Sequence, residues 1–129
     1  MNKPTLALRT LLAVILTLAV APLAGHHGTA ASYDQTRWVT LQGVVTEFIW
    51  RNPHCALFVD VKDENGKVVN HSIEMFSPSL MVRRGYTRNV LKAGDQITID
   101  VHPSRAGTPS GECLGCKFLV NGKDPSARQ

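Results

Sequence analysis

Between Trp38 and Val120 the chain carries five runs with apolar residues at every second position, and a single helix signature separates the third run from the fourth. Period-two alternation marks a half-buried strand. In the first run, Trp38 to Trp50, the residues Val39, Leu41, Val45 and Ile49 share one face while Phe48 and Trp50 take the other. A bulge or sharp bend is therefore expected near Gly43. Arg51-Asn52-Pro53-His54 reads as a turn, because the proline lacks a donor and pushes Asn52 out of the helical region. Cys55 to Lys62 follows with Cys55, Leu57, Val59 and Val61 in phase, and Asn65-Gly66 suits a tight hairpin.

The third run, Lys67 to Phe76, places Val69, His71, Ile73 and Met75 on one face. Ser77 then reads as an N-cap, Pro78 as a first helical residue and Gly85 as a stop, with Thr87 to Leu91 one further helical turn. Gln96 to Val101 is the fourth strand, Pro103 to Glu112 a loop, and Cys116 to Val120 a short fifth strand. Three strands, a helix and two strands predict an all-β, OB-like five-stranded antiparallel barrel over residues 38–122. Residues 123–129 read as a loose tail.

The chain ahead of the barrel is of another kind. Lys3 and Arg9 precede the unbroken apolar run Leu11 to Val20, and Ala21 to Gly25 offers small residues for cleavage. That order predicts a secretory signal peptide over residues 1–25, too short in its apolar part to span a bilayer comfortably. Cleavage after Ala24 or Gly25 would leave His26-His27 at or beside a new amino terminus, opening an arm over residues 26–37. Removal leaves 12 Lys and Arg against 10 Asp and Glu, and this small excess gives no warrant for nucleic-acid binding. The expected location is the periplasm or the medium, an oxidising compartment.

His26-His27, Gly43-Val44-Val45, Trp50-x-Asn52-Pro53-His54, Ser77-Pro78, Arg84-Gly85, Leu91 and Gly94-Asp95 together resemble a family of small exported bacterial proteins known only as a domain of unknown function. The likeness runs from about His26 to Val120. It implies no activity that can be carried over. Cys55 after the Asn-Pro-His and the Cys-x-x-Cys near the end depart from that pattern, so any thiol role belongs to this chain alone.

Three histidines are candidate metal ligands. A terminal amine with the imidazoles of His26 and His27 offers nitrogen donors that suit tetragonal Cu(II), the ion at the top of the divalent affinity order. His54, in its turn, joins them if the arm folds over the corner between strands one and two. His71 reads as a core or barrel-mouth histidine, and His102 shares a face with Asp100 and reads as solvated. Cys113-Leu114-Gly115-Cys116 has the spacing of a redox dithiol, yet no helix starts there to depress a thiol pKa, so a local disulfide is the simpler reading. Cys55 is left as a buried free thiol.

Catalysis finds little support, with no Gly-x-Ser-x-Gly elbow, no His-Glu-x-x-His and no phosphate-cradling glycine loop. Three functional classes remain. The chain is a small binding module holding copper through His26, His27 and His54, a thiol-redox protein acting through Cys113 and Cys116, or an interaction barrel without a ligand.

Overall fold

The computed structural model describes residues 29–127. The expected leader and the ligand pair His26-His27 lie outside the described residues, as do the last two of the tail. A four-residue helix, α1 (Thr29–Ser32), precedes β1 (Val39–Ile49), β2 (Ala56–Lys62) and β3 (Val68–Glu74). After α2 (Pro78–Arg83) come β4 (Gln96–Pro103), β5 (Ser110–Glu112), β6 (Phe118–Val120) and a 3-10 turn at Pro125–Ala127.

β1 pairs antiparallel with both β2 and β4, β2 with β3, and both β5 and β6 with β4. β3 and β5 run parallel, and that pairing closes the sheet into a barrel in the order β1-β2-β3-β5-β4-β1. This is the OB arrangement, in which α2 spans the gap between β3 and β4. One pairing is thus parallel where an all-antiparallel barrel was expected.

Alternation decides which residues fill the interior. Val45, Leu57, Val59, Ile73, Ile97, Ile99 and Val101 are buried with Cys55, Met75 and Phe118, and Val39, Leu41 and Val61 pack at the margin. Met81 of α2 and Leu91 of the following loop plug one end. Ser77 caps α2 as expected, its hydroxyl accepting from the Leu80 amide, and Gly85 leaves the helix at φ 82°. Thr87 to Leu91 is a turn rather than helix, held by the Val90 amide on the Thr87 carbonyl.

Two expectations about the strands need correction. The register break in β1 falls between Val45 and Glu47, so the bulge sits at Thr46 and not at Gly43. Gly43 answers a different need: a Cβ there would stand 2.2 Å from the Asp60 carbonyl oxygen and 2.7 Å from Val59 Cγ1. The segment read as a loop before Cys113 contains β5, which closes the barrel. β4 pairs His102 with Glu112 but Ile99 with Phe118, so the closing strand spends five residues where β4 spends two. The excess bulges out as Cys113 to Lys117, and Cys113 and Cys116 are joined in a disulfide across it, their Cα atoms 4.9 Å apart.

Candidate functional site

Ala56, Glu74, Glu112 and His102 stand opposite one another across β2, β3, β5 and β4. Residues in such a lateral row project from the same face of a sheet. Their chain neighbours Leu57, Ile73, Met75, Val101 and Cys113 are in the core, so the row lies on the outside of the barrel. Water would normally cover it. Here the arm does.

The arm is stitched to the end of β4. The Asp34 amide donates to the Pro103 carbonyl at 2.8 Å, and Arg105 donates through its amide to Ser32 and through Nε to Ala30 at 2.9 and 3.0 Å. Asp34 also pairs with Arg37 and Arg105, and bonds from the Thr36 hydroxyl and amide hold its carboxyl below the usual range. Beneath this strap lies His102, only 8 % exposed, its Nδ1 donating to the Arg37 carbonyl at 2.8 Å and its ring against that of Trp38 with centroids 3.6 Å apart. The solvated His102 expected from its outward phase is therefore overturned. The phase was right, and the arm supplies the cover.

Next along the row, Gln35 Nε2 donates to Glu112 Oε2 at 3.2 Å. The Tyr33 hydroxyl bonds the Glu74 carboxylate, and burial first, then the negative charges of Glu74 and Glu112, push its phenol above the ordinary range. Glu74 in turn accepts from His54 Nδ1. A ring that donates through Nδ1 to a carboxylate presents Nε2 as its free donor atom, the orientation that metal-binding histidines usually take.

Tyr33, Glu74 and His54 border a cleft of about 410 Å³ whose walls also include Arg51 and Ser72. The turn between β1 and β2 forms one wall and includes the cis Asn52–Pro53 bond. The expected ligand His54 and Tyr33 of the arm thus line the same cleft. Within the described residues no three His, Cys, Asp or Glu side chains converge as a metal site on their own. The expected ligands His26 and His27 lie outside them.

His71 stays apart, on the inward face of β3 opposite Val59, and burial lowers its imidazole pKa. Cys55 is fully buried and burial pushes its thiol up, the Arg51 amide opposing, so it is protonated and inert. Cys113 is fully buried and Cys116 only 7 % exposed, with the Cys113 amide donating to the Glu74 carbonyl at 2.7 Å. Gln35, Tyr33, Glu74 and Glu112 were not found from the sequence. A strand as short as Ser-Gly-Glu shows no alternation, and a partner 77 residues away leaves no local signal.

No helix among the described residues is long and apolar enough to cross a membrane. The curated proteins contain no match to the chain. Among solved structures it is similar to the mitochondrial single-stranded DNA binding protein of S. cerevisiae, at 17 % identity and a TM-score of 0.44, over 67 % of this chain and 96 % of that one. The profile of a family of unknown function, DUF6152, matches residues 13–113, from within the apolar run Leu11 to Val20 through the first cysteine of the Cys-x-x-Cys. Since that match spans well over half of its length, the chain belongs to the DUF6152 family.

Proposed function

We propose that the protein is an exported binding module of the bacterial envelope whose rim cleft holds a late transition-metal ion, copper first. The observation that carries this reading is the His54–Glu74 pair, which leaves Nε2 as the free donor of a histidine in the wall of a cleft that the arm also lines. His26 and His27 supply the other nitrogens. Tyr33 already stands in the cleft wall, and the six residues back to His27 span at most about 20 Å of chain. A terminal amine with imidazoles favours Cu(II) over Zn(II). The thiol-redox alternative is less well supported, because the disulfide is buried and an exchanging thiol must be reached by its partner.

Calorimetry on protein with its natural mature terminus tests the proposal. One Cu(II) per chain is expected, bound more tightly than about 1 μM, with Zn(II) weaker. Replacing both His26 and His27 by Ala should abolish stoichiometric binding, His54→Ala should weaken it, and His71→Ala should leave it intact. Affinity should fall as pH drops below about 8 and again below about 6.5, since a terminal amine and imidazoles must lose protons to ligate. A wild-type protein without such affinity, or a double variant that binds equally well, leaves the unliganded interaction barrel as the better account.

A further inference from the structure

Glu112 is 1 % exposed, and its Oε1 has no hydrogen-bond partner among the described residues. A carboxylate in that position needs a reason, because taking it from water with acceptor capacity unused is costly. The groups that surround it come from every neighbouring element. Glu74 stands beside it on β3, His102 on β4, and Tyr33 and Gln35 on the arm above. The arm's nearby cations do not answer it, as Arg37 and Arg105 both pair with Asp34.

We propose that Glu112 is a positioning residue of the cleft: by holding Gln35 it seats the arm across the row, so that Tyr33 completes the chain through Glu74 that fixes the ring of His54. Glu112 to Gln35 and Glu74 to His54 are direct contacts, and Tyr33 lines the cleft beside Glu74, whose charge and that of Glu112 raise its phenol. Removing only the charge isolates what the carboxylate does to the groups above it. The inference deepens the metal-binding reading and depends on it for one of its two readouts.

Glu112→Gln, in the processed full chain, keeps the volume and deletes the charge. Without any metal, ultraviolet titration of the phenols should show Tyr33 ionising at lower pH than in the wild type, with Tyr86, the other tyrosine, as internal reference and Tyr33→Phe as the assignment. Because the variant's amide oxygen can still accept from Gln35, the bond itself is tested by Gln35→Ala, in which amide exchange at Asp34 and Arg105, whose N–H groups pin the arm, should speed up. Copper affinity should fall by up to about 10-fold, the low end of the loss for an outer-shell partner, because Glu112 reaches His54 only through the arm and Glu74. A folded Glu112→Gln protein with wild-type phenol titration, or Gln35→Ala with wild-type arm exchange, overturns the proposal. So does a Glu112→Gln protein in which the titration moves while copper affinity is unchanged.

If the wild type itself binds no copper, the metal reading fails, and the seating of the arm is judged on titration and exchange alone. Should Glu112→Gln not fold, Gln35→Ala repeats the test from the exposed end of the same bond. Its arm exchange must then quicken, and unchanged exchange overturns the proposal.

Discussion

At Gly43 the interior leaves no room for a single methyl group. The nearest atom to a built Cβ is a backbone oxygen of the partner strand, which cannot swing aside as a flexible side chain would. Gly43→Ala is therefore expected to destabilise the barrel by about 2–3 kcal/mol, read from urea unfolding of the two proteins. A change under about half a kcal/mol would mean that β1 and β2 part easily at this point. The sequence marked Gly43 as special and mistook the reason, because a glycine demanded by close approach looks the same as one demanded by a bend. Glu112 and His102 were illegible for a related cause. The outward phase of His102 is plain in the alternation of β4, that of Glu112 is hidden in a strand of three residues, and the burial of both depends on an arm that meets them from 65 and 77 residues away.

Longer elements were the more readable ones. β1 to β4 each repeat their alternation long enough to fix phase, and α2 declares both ends through Ser77, Pro78 and Gly85. The closing strand did not, since its two halves are three residues each and a disulfide-bonded bulge separates them. That bulge makes a prediction of its own. Closing so small a loop restrains the unfolded chain by roughly 2 kcal/mol, so Cys113→Ala with Cys116→Ala should cost about that much, plus what the lost sulfur packing adds. Because β5 anchors the barrel through β3 while β6 pairs with β4 alone, hydrogen exchange should quicken first at Phe118 to Val120. Thiol counting on denatured, unreduced wild type should find one free cysteine, Cys55. Three free thiols would contradict the pairing.

For the whole molecule, the arm and the barrel form one unit in which Tyr33 of the arm lines the cleft. The leader is expected to be removed, leaving a soluble chain that begins at Gly25 or His26. Amino-terminal sequencing of the exported protein checks this, and Met1 retained in membranes would rule it out. The two ends of the described chain leave from opposite ends of β4. The arm is tied at Pro103, whereas the carboxyl segment departs after Val120 opposite Ile97, six residues and about 20 Å away. Anyone producing or immobilising this protein inherits that polarity. An affinity tag, label or surface linker attached past Pro125 keeps clear of the rim, while under the proposed metal reading even one foreign residue left ahead of His26 would displace the amine meant for the ion.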